Sequence, residues 1–158
     1  MAGKNLTPKE LMMQWKTVPS RFGVNVFNFR TQIGKAARKV FQDSFYLGRF
    51  NSAGEFAWKP RTRTYSHPIL NETGTLRESI VWKHVGTTTK IYTDPSRFNT
   101  SARHRGFCYA AIHNDPDGRH TYGASMVPSV QRKFMGHSTV LRDLIRKYSK
   151  TIFDGFPQ

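Results

Sequence analysis

Two helical segments near the ends of the chain and a β-hairpin between them predict an α+β domain: a long amphipathic N-terminal helix and a C-terminal helix packed on a small antiparallel sheet, with long loops. The helical period between Phe22 and Phe45 and the alternating, turn-separated runs SIVWKHV and TKIYTD carry that reading. The third observation is the run STVLRDLIRKYSKTIF near the C-terminus, which again has helical spacing.

The first element is a helix start at Leu6-Thr7-Pro8-Lys9-Glu10-Leu11. Thr7 is the N-cap, Pro8 takes the first helical position, Glu10 completes a capping box, and Leu6 and Leu11 are placed for a hydrophobic staple. A short helix to about Trp15 is expected, closed by Pro19 and Gly23, so that residues 1–20 form an N-terminal extension and 21–158 one α+β domain. From Phe22 the apolar residues Phe22, Val26, Phe29, Ile33, Ala36 and Val40 recur at steps of four and three, the stripe of an amphipathic helix. Asn28, Gln32, Lys35, Lys39 and Gln42 occupy the other face, with Arg30 and Arg38 adding charge.

Gly48 to Gly54 reads as a loop, and Trp58 as the anchor of the segment after it. Pro60 keeps the chain extended into RTRTYSHP, a polar run expected to order against a neighbour, with Arg61, Arg63, Tyr65 and His67 as candidate assembly residues. Pro68 to Ile80 (PILNETGTLRESI) is the corner around which the rest is organised. Gly74 can take the positive φ of a tight turn, Thr75 and Glu78 have capping-box spacing, and Leu70, Leu76 and Ile80 face one apolar side.

The hairpin comes next, turning at Gly86-Thr87-Thr88. Pro95 to Gly106 carries Arg97, Arg103, His104 and Arg105 among turn formers, so Arg97, Arg103 and Arg105 join Lys35 and Lys39 as candidate contacts to phosphate or to an acidic partner. FCYAAIHN fits a strand or a helix, and Asp115-Pro116-Asp117-Gly118 is a turn. Phe134 and Met135 are expected anchors before the last helix, whose apolar stripe is Leu141, Leu144, Ile145, Tyr148 and Ile152.

Composition narrows the function classes. With 158 residues the chain suits one domain, and a domain of this size buries roughly 70% of the surface its unfolded form exposes. The single cysteine, Cys108, has no internal disulfide partner and lies in an apolar run as a small hydrophobe. No signal core and no run of membrane-spanning length is present, so a soluble protein without a classical leader and without a membrane partner is expected.

Lys and Arg number 25 against 10 Asp and Glu. The excess is spread evenly, 13 basic and 5 acidic residues in 1–79 and 12 and 5 in 80–158, which describes a positive body rather than a basic tail. Such a body suits polyanions or acidic protein neighbours. His113 and His120 with Asp115 or Asp117 are the one grouping from which a metal site could be assembled, but no fixed ligand spacing supports it. No nucleophile elbow, phosphate loop or dinucleotide signature appears, and no catalytic residue, metal or cofactor is expected.

In their order, the amphipathic helix, the loop leading to Trp58, PILNETGTLRESI, the hairpin with VGTTTKIYTD, YAAIHN before a turn, and VPSVQRKFMGHS before a C-terminal helix resemble the phage virion-morphogenesis (tail-completion) family of long-tailed bacteriophages. The resemblance covers about residues 22–152. Two departures stand out: His113-Asn114-Asp115-Pro116-Asp117-Gly118 replaces a His-Gln-then-Gly step, and Pro128 and Arg132 stand further apart than in the family's Pro-x-Arg-x-Phe-x-Gly. The Thr7-capped helix is an addition to the pattern.

The resemblance implies a non-enzymatic virion protein of the neck, assembled in the host cytoplasm. It would form a homo-oligomeric ring, a hexamer by the family's pattern, joining the DNA-filled head to the tail. Its implied partners are other neck and connector proteins, tail-tube or tail-terminator proteins, and packaged double-stranded DNA met by non-specific electrostatics. A sequence-independent nucleic-acid-binding protein is the alternative that the charge alone would fit.

Overall fold

The computed structural model describes residues 6–61, 64–98, 109–114 and 130–157. Helix α1 (Pro8–Leu47) is followed by the single turn α2 (Thr75–Glu78), strands β1 (Ile80–Val85) and β2 (Thr88–Thr93), a 3-10 turn at Pro95–Phe98, α3 (Ala110–Asn114), and α4 (Thr139–Ser149) running into a 3-10 turn at Lys150–Phe153. The arrangement is α+β, with a two-stranded antiparallel sheet. Helix α1 is its axis: the sheet packs on it, and so do α4 and the turn after it.

The start of α1 is as the sequence predicts. Thr7 and Glu10 close a reciprocal capping box, with the Thr7 N–H donating to the Glu10 carboxylate at 2.8 Å. The expected break is not there. Helix α1 runs unbroken for 40 residues, through both Pro19 and Gly23, and the boundary at residue 20 falls inside it. Proline removes one helical donor and crowds the preceding turn, which normally kinks or ends a helix. The carbonyl left without a helical donor is that of Trp15, four residues before Pro19, while the Thr17 and Ser20 hydroxyls bond other carbonyls of the turn, those of Gln14 (2.7 Å) and Thr17 (2.9 Å). The segment is also exposed, so water can solvate any carbonyl left over.

The face of α1 that enters the core is rotated from the expected stripe. Its buried residues are Gly34, Ala37, Val40, Phe41, Ser44 and Phe45; of the predicted set only Val40 is fully buried, and Phe22 is exposed. Small residues explain the difference. A methyl group at Gly34 would overlap the Trp82 ring, so the indole of β1 lies directly on the helix backbone. A stripe drawn through the largest apolar residues misses a contact face built around glycine and alanine.

The hairpin has the predicted strands in the register Ile80↔Thr93, Trp82↔Ile91 and His84↔Thr89 on the α1 side. Arg30 holds its turn, one guanidinium nitrogen donating to the carbonyls of Gly86 (2.8 Å) and Thr88 (2.7 Å). Thr31 Oγ1 meets His84 Nε2 at 3.2 Å.

At the organising corner, Leu76 and Ile80 are buried and Leu70 packs against the core, as expected. The Thr75–Glu78 capping box does not form. Gly74, at φ 76°, is itself the N-cap, which moves Thr75 into the helix; its hydroxyl pairs with Thr73 Oγ1 at 2.7 Å instead. The carboxylate of Glu78 turns to Arg77 at 3.3 Å.

Phe134 and Trp58 are buried, and the Trp58 Nε1–H donates to the Lys133 carbonyl at 2.9 Å. Ser138 caps α4, which begins at Thr139. Leu141 and Leu144 pack against the core while Ile145 stays exposed. The FCYAAIHN alternatives resolve to helix over Ala110–Asn114, whereas Cys108 and the Asp115–Gly118 turn lie outside the described residues.

The Gly34–Trp82 contact yields a direct expectation. Gly34→Ala should lower the unfolding free energy by about 1–3 kcal/mol through overpacking, despite the better helix propensity of alanine. Urea denaturation of the two proteins measures this.

Candidate functional site

None of the described lysines and arginines is buried, and two like-charged pairs stand out. Lys83 and Lys90 are directly opposite each other on the outer face of the hairpin, both exposed. Like charges in that relation are destabilising. The Lys83 ammonium lies over the Tyr92 ring at 5.0 Å, which offsets part of the repulsion, and neither lysine meets a carboxylate among the described residues. Only the strand register brings them together; in the sequence each is an ordinary polar strand residue.

The second pair joins the loop after Trp58 to the segment before α4. The backbone N–H of Arg132 donates to the His113 carbonyl at 2.8 Å, and its guanidinium reaches the Lys59 carbonyl at 3.2 Å. This sets Arg132 near Arg61, whose own guanidinium donates to the carbonyls of His67 (3.3 Å) and Pro68 (2.8 Å) and stacks over the Tyr65 ring at 4.9 Å. Both guanidiniums are therefore held by neutral carbonyl oxygens. The buried Nε of Arg132 has no partner among the described residues. Burial, and then the Arg61 charge, hold its pKa below the usual arginine value.

His113 lies behind this pair. Burial, with the Arg132 charge adding to it, pushes the imidazole down to about 4, so it is neutral at physiological pH. Its ring packs edge-on to Tyr109 at 6.0 Å, and its buried Nδ1 has no partner among the described residues. The adjacent Asn114 is structural: its Oδ1 accepts from the backbone N–H groups of Phe134 (3.0 Å) and Met135 (2.8 Å), and its carbonyl accepts from Gln131.

Of the candidate assembly residues, Arg61, Tyr65 and His67 come together, the Tyr65 and His67 rings 5.5 Å apart and His67 Nε2 3.7 Å from Glu72. Arg63 lies outside the described residues. Of the candidate phosphate contacts, Lys35 and Lys39 are exposed one helical turn apart on α1, with Arg38 between them and Lys39 3.6 Å from Asp43. Arg97 is exposed on the 3-10 turn that packs beside α2, apart from α1, while Arg103 and Arg105 lie outside the described residues.

Sequence reasoning missed Lys83, Lys90 and Arg132 as members of charged groupings. For Arg132 the only signal is its place in the QRKF run; its approach to Arg61 comes from tertiary contacts. Among the described residues no three His, Cys, Asp or Glu side chains gather as a metal site, and His120, Asp115 and Asp117 lie outside them. An open groove beside Trp58, lined by Phe50, Glu55, Phe56, Lys59 and Lys133, mixes aromatic and charged groups. Comparison with protein-family models, curated proteins and solved structures found no match.

The imidazole of the unfolded chain takes a proton near pH 6.5 and the folded one near 4. Acid therefore favours unfolding across that window, by up to about 3 kcal/mol, and the stability is complete above pH 6.5. Urea denaturation at a series of pH values should show a smaller loss in His113→Gln than in the parent between pH 6.5 and 4.

Proposed function

We propose that this chain is a structural protein of the bacteriophage neck, a non-enzymatic tail-completion or head–tail connector subunit that self-assembles into a ring, hexameric by the resemblance, around the path of packaged DNA. The observation that carries this reading is the set of outward or half-buried cations in like-charged pairs, Lys83 with Lys90 and Arg61 with Arg132, held without carboxylates among the described residues. Phosphates passing along such a surface would relieve the repulsion without being read for sequence, which suits a duct from which DNA must leave. The order of landmarks also supports it: Trp58, the corner with Leu76 and Ile80, and Phe134 converge on one core. Ring neighbours in this reading are further copies of the chain, connector proteins and tail proteins, and the protein resides in the virion.

Electron microscopy of purified particles should place the protein between portal and tail tube; its absence from virions would refute the assignment. Duplex DNA affinity of the isolated chain should be weak at physiological salt. In Lys83→Gln with Lys90→Gln, the slope of log affinity against log salt should fall by about 2 if each lysine neutralises one phosphate. Tight duplex binding at physiological salt by the monomer would instead favour a dedicated nucleic-acid-binding protein.

A further inference from the structure

Apart from the helix's own backbone bonds, the first thirteen residues of α1, Pro8 to Ser20, form no hydrogen bond, ion pair or ring contact with any described residue beyond the segment and its cap. Hydrogen bonds and ring contacts with the C-terminal segment begin one residue later. Arg21 donates to the Gly155 carbonyl, the Asn25 amide to the carbonyls of Ile152 and Asp154 (both 3.0 Å), and the Phe22 ring meets Phe156 edge-on at 6.3 Å. At 1.5 Å per residue Pro8 to Ser20 is an arm about 20 Å long.

This arm and the turns just after it are not a solvated face. Met12, Met13, Trp15, Phe22, Val24 and Phe27 are each 42–59% exposed. By helical spacing Trp15 and Phe22 lie on one side and Met13, Val24 and Phe27 on the opposite side. A helix apolar on both sides belongs inside a larger structure.

The area is sufficient for a stable contact. Half of six large side chains amounts to about 600 Å² on the arm, and with a matching area on the receiving surface about 1,200 Å², the lower end of specific interfaces.

Charge selects the occupant. Between Leu11 and Phe29 the only charged residues are Lys16 and Arg21, in a chain with a net charge of +15. An acidic partner would find better footing on the cation-rich faces of α1, α4 or the hairpin. A lipid surface would call for a strongly basic polar face, which this segment lacks. Two copies of a highly positive body, in contrast, can approach with least repulsion along this charge-poor helix. We infer that the α1 arm of one copy docks on a second copy of the same chain, extending past Phe22 the apolar contact that the chain's own C-terminal segment makes with α1.

The inference rests on the self-assembly proposed above, and the test separates the two. Sedimentation velocity across a concentration series compares the full chain with the double variant Met13→Glu, Trp15→Glu. The parent should associate, and the variant should associate at least about thirtyfold more weakly, as expected for losing an aromatic anchor at an interface. Its urea midpoint should be unchanged, because Met13 and Trp15 are exposed and make no ring contact with a described residue. Trp15 emission should shift to the blue on association, read as the difference from Trp15→Phe. A variant that assembles like the parent overturns the arm contact and leaves the ring reading standing. A parent that stays monomeric at every concentration overturns both. A monomeric parent whose Trp15 emission shifts only on adding anionic phospholipid vesicles overturns the contact in favour of a lipid surface.

Discussion

The contact of the Trp82 indole with the backbone of Gly34 sets the geometry on which the rest of the fold depends. A two-stranded hairpin is marginal on its own in water and needs an apolar surface to lie on. Helix α1 supplies that surface because Gly34 and Ala37 leave room for the ring. Arg30 and Thr31 then secure the turn end of the hairpin through its carbonyls and His84. Once the strands are seated, Ile80 and Leu76 enter the core beside Phe41 and Phe45, and the corner that precedes the hairpin has one place to go.

The remainder of the core is closed largely by polar side chains bonding loop backbone. Ser44, buried in α1, accepts from the Asn51 N–H at 3.0 Å, and Asn51 Nδ2 donates back to the Val40 carbonyl at 3.2 Å. Ser138 Oγ donates to the Asn51 carbonyl at 2.6 Å, which ties the start of α4 to the loop after α1. Trp58 Nε1 and Asn114 Oδ1 do the same for the segment around Lys133 to Met135. Buried backbone groups must find partners, and outside the two-stranded sheet the described loops meet that requirement through Ser, Asn and Trp side chains. Long loops are held in this way on a small scaffold, and cations can be displayed on them in fixed positions.

Two surfaces result, and they differ in kind. The body presents cations with few acidic neighbours, while the N-terminal half of α1 presents uncharged apolar side chains. In the proposed ring these divide the work: repulsion between like charges faces the polyanion that relieves it, and the charge-poor helix meets another subunit. The neutral His113 beneath Arg132 fits this division, since a protonated imidazole there would add to charge that has no carboxylate partner among the described residues.

The α+β class, the Thr7 capping box, the hairpin, the buried Trp58 and Phe134 and the Ser138-started helix were all legible in the sequence. Each depends on local chemistry, on caps, turn residues or hydrophobic period, that acts within a few residues. The charge excess was legible for the same reason, being a sum over composition. Tertiary structure decided the rest. Whether Pro19 ended a helix turned on its exposure, since water can solvate the carbonyl that the proline leaves without a donor. The core face of α1 turned on which residues were small enough for Trp82, not on which were most apolar. The meeting of Lys83 with Lys90 required strand register, and that of Arg61 with Arg132 required two distant segments to cross. Like charges repel, so no local preference draws such residues together; they become neighbours only because the packing of the backbone puts them there.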